Sequence, residues 1–520
     1  MLITIGSAKC IGVQAMPVIV EVTIDTGIGI HLVGLADVAV KESLLRTMTA
    51  LQSLGFRIPG KKIVINLAPA DLHKRGSGYD VPIALGIVAA SQQMSMPLLD
   101  KFIIMGELGL DGTLRPVPGA LPIVEMAASS GYEGCILPVQ SALEAMQFPG
   151  IKVYGAFTLK DVLKIVCGRP DRDSLLAASI AAQSGMVSSA ATLPQDMMDF
   201  SEIVGQQAAK RGLEIAAAGG HNVIMVGPPG SGKSSLAKAM CGILPPMTHE
   251  ESLQTSKIYS VAGVGDLSGG LMRTRPFRAP HYSASVAALV GGGSDWVMPG
   301  EISLAHNGVL FLDELCEMPK RTIEALRSPI EDRRVVISRL RSKVVYPSSF
   351  TLVAATNPCP CGYWGEGDRC TCSVGQRRAY LSRLSGPLMD RIDIQLWLHP
   401  VQTKSLVRRQ AQESTAKVAE RVAAARLIQK RRFAGEMDIF CNAQMNSRQI
   451  EKYCPLGEDG NDFLEKTVDG MGLSARACSR IIKIARTIAD LDAAGKDGAP
   501  IRIEHLAEAA SYRFLDKQNF

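Results

Sequence analysis

The segment Asn222–Ser235 constrains the fold of this 520-residue chain more than any other segment. Val223–Val226 is a short apolar run typical of a buried parallel strand, and the GPPGSGKS that follows matches the phosphate-loop pattern G-x-x-x-x-G-K-[ST] in full. Glycines let backbone N–H groups surround phosphate oxygens, the lysine brings positive charge to the β- and γ-phosphates, and the serine hydroxyl is a Mg²⁺ ligand. The sequence therefore predicts a site for ATP and Mg²⁺ in which these residues contact the nucleotide: Gly227, Pro228, Pro229, Gly230, Ser231, Gly232, Lys233, Ser234 and Ser235.

The alternative for this segment is a glycine-rich turn without a ligand. The apolar strand before it and the helical stretch Ser235–Met240 after it favour the phosphate loop, whose chemistry requires a strand–loop–helix context. Phosphoryl transfer also requires one carboxylate near Mg²⁺ and another to polarise the attacking water. The apolar run Gly308–Leu312 ends in two acids. We assign Asp313, together with Ser234, to the metal and Glu314 to the water.

Composition limits the class of protein. A chain of 520 residues exceeds one ordinary core, and about two to four domains are expected. With 47% apolar and 20% charged residues it is a globular protein, and the net charge of +6 permits nucleic-acid binding without requiring it. No apolar run reaches the length of a membrane span, the N-terminus lacks an export signal, and the twelve cysteines fit reduced thiols better than a disulfide framework. We expect a cytoplasmic protein without a membrane partner.

Residues 1–167 are predicted to form a mixed α/β domain. Gly106–Gly112 is typical of a strand that ends in a hairpin turn. The other predicted elements are strands at Val18–Ile24 and Lys62–Asn66 and helices at Val38–Leu54 and Pro82–Ala90. This arrangement resembles the α+β Lon-protease-like domain at the start of the magnesium-chelatase-related ATPases.

The resemblance raises the question of peptidase activity, which in a Lon-type site requires a serine nucleophile and a lysine base. In this chain Gly78 falls where the serine would be, and Leu121 falls where the lysine would be. Lys74 and Ser77 are close in sequence, but one of them would have to change its role. We therefore expect a proteolytically inactive domain that docks partners or handles nucleic acid.

The remainder of the chain is predicted to contain three parts. Residues 168–199 are rich in alanine and serine and are predicted to be a linker or a surface-packed connection. Residues 200–398 are predicted to form an α/β core with a parallel sheet around the phosphate loop. Residues 399–520 are predicted to form a helical lid, with helices at Ser414–Phe433, Ser479–Leu491 and His505–Tyr512.

Segments within these parts resemble the AAA+ ATPases in order and content. Ile203 and Val204 resemble the apolar contacts of adenine in that class, although both are equally acceptable as core residues. Asn357, at the end of an apolar strand, resembles the first sensor, which orients water against the γ-phosphate. Arg391 resembles an arginine finger, and Arg476 resembles the second sensor in the lid. Because an arginine finger acts on the site of a neighbouring subunit, Arg391 predicts a ring.

The most family-specific stretch extends from Arg275–Tyr282 to Pro299–His306, and the whole chain resembles the YifB/ComM family of magnesium-chelatase-like AAA+ ATPases. The family often has a second histidine where this chain has Tyr282, which weakens the case for a two-histidine metal site with His281. The resemblance implies a homohexameric motor for branch migration or helicase activity on single-stranded or branched DNA. It also implies a role in recombination during natural transformation, with a recombinase and competence proteins as partners.

The segment Glu331–Ser348 alternates apolar and polar residues as a β-hairpin does. Three basic residues fall near its tip, and helicase-type relatives place a hairpin at this point of the chain in the ring pore. Basic side chains there would bind phosphates without reading sequence. The alternative is a solvated edge hairpin, since charge on an edge also blocks aggregation. The candidate DNA-binding residues are Arg339, Arg341 and Lys343.

Four cysteines form two C-x-C pairs in a glycine-containing loop just after Asn357. Four thiols so close in sequence can complete a tetrahedral Zn²⁺ site, although the spacing is tighter than in most zinc ribbons. The alternative is a set of reduced thiols without metal. The predicted ligands of this structural site are Cys359, Cys361, Cys370 and Cys372.

Three further functions compete with the DNA motor. One is a metal-insertion ATPase like the chelatase subunit, but that subunit lacks the Lon-like domain, and this chain lacks an integrin-like metal-binding domain. Another is an ATP-dependent protease or protein remodeller, which Gly78 and Leu121 disfavour. The last is a nucleotide-dependent scaffold without hydrolysis, in which Glu314 and Arg391 would have no role.

Overall fold

The structure, a computed structural model, describes residues 1–34, 38–72, 74, 76–184, 198–293, 297–339, 342–384, 386–400, 412–436, 439–493, 495–496 and 498–516. The chain divides into two compact units. The N-terminal unit comprises Met1–Ala191, His249–Arg273 and Leu340–Tyr346, and the phosphate-loop unit comprises Thr192–Thr248, Thr274–Arg339 and Pro347–Phe520. Both units combine helices with sheets, so the prediction of an α/β multidomain protein is confirmed. Within the described residues, no helix is both long and apolar enough to cross a membrane.

A seven-stranded mixed sheet forms the centre of the N-terminal unit. The predicted elements are present, with small shifts in their ends. Apolar side chains alternate along the long strands, so one face of the sheet is buried under helices. In sheet order the strands are Gly29–Val33, Lys62–Ala68, Gln14–Asp25, Leu2–Ile11, Phe102–Ile104, Gly134–Pro138 and Lys152–Ala156. A hairpin pairs Glu107–Leu108 with Leu114–Arg115, and the α-helices are Val38–Ser53, Asp80–Ala90, Ala120–Ser129, Val139–Glu144, Leu159–Val166, Ala177–Gln183 and His249–Ala262.

Two features of this unit differ from what the sequence pattern indicated. In the segment expected to be a linker, Pro170–Leu175 is a 3₁₀ helix and Ala177–Gln183 is an α-helix with its small side chains Ala177 and Ala181 buried. Residues 185–197 of that segment lie outside the described residues. The second difference is His249–Arg273, which was expected in the ATPase core but packs in the N-terminal unit. There the Gly119 N–H donates to the Ser260 carbonyl at 2.9 Å.

A five-stranded parallel sheet forms the centre of the phosphate-loop unit. The Val223–Val226 strand is buried throughout and lies between Thr351–Thr356 and Ile394–Trp397. Val309–Leu312 follows Thr351–Thr356, and Phe277–Arg278 is at the edge. Because carboxyl ends of parallel strands meet at one edge, this order gathers the loops that follow three strands. The helices with this sheet include Gln207–Gly219, Lys233–Ile243, Val286–Val290, Glu301–Leu304, Lys320–Ala325, Arg327–Asp332, Val374–Leu381 and Gly386–Met389.

The C-terminal part of this unit is helical, as predicted. Its helices share a core in which Val422, Ile481 and Ile484 are fully buried. A polar bond also crosses this core, where His221 Nε2 and Thr487 Oγ1 lie 2.8 Å apart. Residues 401–411 of the expected lid lie outside the described residues. The helices are Thr415–Arg432, Ser447–Tyr453, Glu458–Met471, Ala475–Asp492 and Ile503–Ser511.

Candidate nucleotide-binding site

The phosphate loop has the strand–loop–helix context that its motif requires. The Gly227 N–H donates to the Thr356 carbonyl at 3.2 Å, which ties the start of the loop to the neighbouring strand. Gly230 and Gly232 adopt φ values of 76° and 89°, a region that side chains rarely enter. Gly232 then caps the helix that begins at Lys233. The N–H groups and the positive dipole end at the start of a helix are the features that favour an anionic phosphate, so this end of the helix is the candidate phosphate site.

Lys233 is buried in the loop and connects it to the strand that ends in Asn357. Its Nζ donates to the carbonyls of Gly227 at 2.6 Å and Pro228 at 2.9 Å, and to Asn357 Oδ1 at 3.3 Å. Burial lowers the pKa of Lys233, whereas the nearby carboxylates of Asp313 and Glu314 act to raise it. A cation held among neutral carbonyls in this way is placed to exchange them for phosphate oxygens.

The predicted magnesium ligands lie in contact with each other. Ser234 Oγ donates to Asp313 Oδ2 at 2.9 Å, and the Glu314 N–H donates to Asp313 Oδ1 at 2.9 Å. A hydroxyl and a carboxylate at this separation are oxygen donors of the kind that Mg²⁺ prefers. Glu314 adopts a φ of 51°, a conformation that is rare for residues other than glycine and that concentrates at functional sites. The two acids therefore leave the strand in different backbone conformations, which suits two separate roles.

The segment before the loop contributes an amide that sequence reasoning missed. Gln206 Nε2 donates to the Ser231 carbonyl at 3.1 Å and to the His399 carbonyl at 2.6 Å. Its φ of 55° places it at the start of the following helix in a left-handed conformation. Ile203 is buried and Val204 is half-buried. In the sequence, Gln206 was marked only by being a polar residue at the end of the segment in which Ile203 and Val204 were assigned to adenine.

The two predicted catalytic arginines lie with acidic partners rather than with the loop. Arg391 Nη1 donates to the Pro387 carbonyl at 2.6 Å, and its Nη2 pairs with the Glu331 carboxylate. Arg476 Nη1 lies 3.5 Å from Asp390 Oδ2. The structure thus brings together the loop, Asp313 and Asn357, and it places both arginines near the Leu388–Asp393 segment.

Asp393 is a second residue that sequence reasoning left without a role. Its carboxylate pairs with Arg480 of the lid, accepts from the Asn222 N–H at 3.1 Å and lies 3.5 Å from His221 Nδ1. Burial alone would raise the pKa of Asp393, but Arg480 and His221 hold it below its ordinary value. This carboxylate therefore joins the lid helix to the start of the phosphate-loop strand. An acid directly before an apolar strand was its only signal.

The four predicted zinc ligands also lie together. The sulfur of Cys359 lies 3.3 Å from that of Cys361 and 3.8 Å from that of Cys370, and the last two are 3.7 Å apart. All four sulfurs, with that of Cys372, lie within 4.8 Å of one another. This cluster is separate from the hydrogen bonds of Lys233 and Ser234.

The strands predicted for the basic hairpin are Arg334–Arg339 and Ser342–Pro347. The apolar side chains that alternate along these strands are buried: Val335, Ile337, Val344 and Tyr346. Arg339 and Lys343 are exposed, while Arg341 lies outside the described residues.

The positions of the expected peptidase residues hold no serine–lysine pair. Gly78 lies against Met105, so that a Cβ there would lie 2.8 Å from Met105 Cε, and Leu121 is fully buried. Ser77 Oγ bonds to the Glu107 carboxylate, while the buried Lys74 Nζ bonds to the Pro69 carbonyl. Serine and lysine here have separate partners, so Ser77 and Lys74 do not form the serine–lysine pair of a Lon-type site.

A parallel sheet with a phosphate loop after one strand and an acidic pair after another defines a P-loop nucleotide-binding core of the AAA+ class. The family model "Magnesium chelatase, subunit ChlI" matches residues 199–406, and two further models of that subunit match residues 20–141 and 412–513. The chain is 43% identical over 516 residues to YifB of Salmonella typhimurium, covering 99% of this chain and 97% of that one. It is also 43% identical over 511 residues to competence protein ComM of Haemophilus influenzae, covering 98% and 97% of the two chains.

A more distant similarity covers part of the chain. The magnesium-chelatase 67 kDa subunit of Chlorobaculum parvum is 29% identical over 168 residues, which is 31% of this chain and 24% of that one. With the near-complete coverage of YifB and ComM, these findings show that the chain belongs to the YifB/ComM family of magnesium-chelatase-like proteins.

Proposed function

We propose that this chain hydrolyses ATP and uses the energy to move DNA strands. The observation that carries the ATPase assignment is the pair of contacts Lys233–Asn357 and Ser234–Asp313, at 3.3 and 2.9 Å. Three segments that are far apart in sequence meet in these two bonds. Phosphoryl transfer needs such a set, because its catalysis consists of positioning and of charge stabilisation.

The residues divide the reaction among them. Lys233 and the N–H groups of the loop bind the β- and γ-phosphates, and Ser234 and Asp313 would hold Mg²⁺, which neutralises developing charge when bound. Glu314 polarises the attacking water, and Asn357 orients it. Arg476 approaches the γ-phosphate from the lid of the same subunit. Lid movement after hydrolysis is the mechanical output.

Arg391 acts in this proposal on the nucleotide of a neighbouring subunit. Its pairing with Glu331 and Pro387, rather than with any residue of its own phosphate loop that the structure describes, supports a role outside its own site. When identical subunits close head to tail into a ring, each site receives such an arginine in trans from its neighbour. We therefore propose a homohexamer.

DNA is the proposed substrate of the motion. A relative of nearly the full length of this chain is named a competence protein. Arg339 and Lys343 are exposed, and Arg341 lies between them in sequence. Such side chains would contact phosphates without base specificity. The proposed activity is branch migration or helicase action during natural transformation, on single-stranded or branched DNA and with recombinase and competence proteins. The twelve free cysteines support a cytoplasmic location.

One other function has a specific observation in its favour. The family models carry the name of a magnesium-chelatase subunit, which favours ATP-driven metal insertion into a tetrapyrrole. The similarity to a named chelatase subunit covers only 31% of this chain, so we rank this function second.

ATP hydrolysis by the purified chain, measured without DNA and with single-stranded, duplex and forked DNA, tests the proposal. We expect hydrolysis to rise with DNA and to fall to background in Glu314→Gln, which should still bind nucleotide. If DNA is neither bound nor stimulatory, the motor is excluded. Stimulation by a porphyrin and Mg²⁺ instead of DNA would favour the chelatase-like function.

A further inference from the structure

The cysteine loop has the dimensions of a mononuclear thiolate site. Tetrahedral Zn²⁺ with Zn–S bonds of about 2.3 Å holds its sulfurs about 3.8 Å apart. The three sulfur–sulfur distances among Cys359, Cys361 and Cys370 are 3.3, 3.8 and 3.7 Å. With Cys372 the set stays within 4.8 Å. A cluster of several irons would hold its cysteines farther apart, so the spacing favours one ion.

The backbone also holds the first two cysteines in a turn. The Gly362 N–H donates to the Cys359 carbonyl at 2.9 Å, which closes a turn around Pro360 and Cys361. A turn of this kind lets two sulfurs that are close in sequence face the same ion. Four thiolates without a metal would repel one another. The donor set is soft, which selects Zn²⁺ over Mg²⁺ or Ca²⁺.

The same loop lies directly against the nucleotide site. Gly362 has a φ of 85°, and a Cβ there would lie 2.9 Å from Pro229 Cδ and 3.8 Å from Asn357 Cγ. On the other side of the loop, the Trp364 and Trp397 rings meet edge to face at 5.4 Å. The loop is thus held between the phosphate loop and the end of a central strand.

We propose that Cys359, Cys361, Cys370 and Cys372 bind one structural Zn²⁺, and that the metal-folded loop clamps the phosphate loop at Pro229 and the sensor at Asn357. The clamp rests on the proposed nucleotide site, whereas metal binding does not. Loss of the metal would release Gly362 from Pro229 and widen the set of conformations that the phosphate loop adopts. Because ATP binding would then have to order the loop, affinity should fall.

Elemental analysis of the full chain purified under reducing conditions tests the metal. We expect one zinc per chain, a large loss of zinc in Cys361→Ser with Cys370→Ser, and full zinc in the control Cys167→Ser, which changes a cysteine of the N-terminal unit. Zinc well under one per chain after reconstitution overturns the site. Stoichiometric iron with a visible absorption band also overturns it.

The clamp is tested by the affinity of a fluorescent ATP analogue, which needs no hydrolysis. Gly362→Ala should weaken binding about tenfold, since the added Cβ would displace Pro229 and ATP would have to order the phosphate loop again, at a cost of about 1.4 kcal/mol. Gly367→Ala is the matched control, because Gly367 also has a positive φ, of 60°, but a Cβ there meets nothing within 4 Å. Equal affinity in both variants overturns the clamp.

The wild-type chain provides a test that does not depend on the folding of a variant. Zinc is removed with a chelator and restored, and analogue affinity and circular dichroism are measured at each stage. We expect affinity to fall and recover with zinc. Unchanged affinity in the zinc-free chain overturns the clamp. The zinc proposal and the DNA motor can fail separately. If zinc content and analogue affinity behave as expected but the chain neither binds DNA nor is stimulated by it, only the DNA motor is refuted.

Discussion

Two ion pairs of the same kind, one helical turn apart, differ in burial and should differ in strength. In one, Asp393 and Arg480 side chains are 7% and 20% exposed. In the other, Asp390 and Arg476 side chains are 41% and 67% exposed and 3.5 Å apart. Removing one partner of a buried pair costs about 3–5 kcal/mol, while exposed pairs contribute about 0–1 kcal/mol. We therefore expect Asp393→Asn to destabilise the phosphate-loop unit by about 3 kcal/mol, and Asp390→Asn by under about 1 kcal/mol.

Urea unfolding followed by tryptophan fluorescence measures this difference in the intact chain. Of the chain's three tryptophans, Trp364 and Trp397 are among the described residues, and both belong to the phosphate-loop unit, so their fluorescence reports this unit. With a slope of about 2–3 kcal/mol per molar urea, a loss of about 3 kcal/mol lowers the midpoint by about 1 M. The Asp390→Asn midpoint should stay close to wild type.

The difference in the free energy of unfolding between wild type and Asp393→Asn should become smaller as the pH falls. Asp393 has a lowered pKa in the folded chain, so its stabilisation is present above its unfolded pKa and is lost as pH falls through the folded value. The gap between wild type and Asp393→Asn should therefore narrow below about pH 4. Equal midpoints for the two variants at pH 7, or a gap that widens in acid, would refute the reasoning.

Three further predictions concern function. Lys233→Ala should weaken ATP binding by at least about tenfold, since a charge-assisted phosphate contact contributes about 1.5–3 kcal/mol; Lys238→Ala, on the same helix, is the control, and equal affinity would contradict the role of Lys233. The double variant Arg339→Ala with Arg341→Ala should bind DNA more weakly while keeping basal hydrolysis. The salt dependence of its DNA affinity, measured by anisotropy, should fall by about two phosphate contacts. An unchanged salt dependence would exclude these arginines as DNA contacts. In mixtures of wild type with Arg391→Ala, hydrolysis should fall more steeply than the wild-type fraction, because one subunit inactivates its neighbour's site; a proportional fall would argue against shared sites.

Local patterns predicted the phosphate-loop strand and the acidic strand well, because each is a continuous apolar run with a chemically specific end. They did not predict which core a helix would join. His249–Ala262 follows the phosphate-loop helix in sequence, yet its partner is the Ala120–Ser129 helix of the N-terminal unit, where Lys257 pairs with Glu125. Nothing in the spacing of apolar residues along a helix encodes the identity of its distant partner.

The polar contacts around the site show the same limit. The phosphate-loop motif identified Lys233, and the resemblance to AAA+ ATPases identified Asn357. The hydrogen bond between them depends on the order of strands in the sheet. Glu331 is the partner of Arg391 because the Arg327–Asp332 helix and the Leu388–Asp393 segment, far apart in sequence, meet in space. Partner choice of this kind is set by the whole fold, and sequence reasoning with one chain reaches it only through resemblance.

Because His249–Arg273 packs in the N-terminal unit, truncating the chain after residue 191 would not give a complete N-terminal unit. A fragment of residues 1–191 would lack the helix that contains Ser260. The Ser260 carbonyl accepts from the Gly119 N–H, and the Ser260 hydroxyl donates to Glu144 Oε2 at 2.6 Å. The complementary fragment would expose the apolar side chains of the same helix, Ile258 among them, to water. Neither piece has a complete interior, so a cut at residue 191 is expected to destabilise both pieces of this chain.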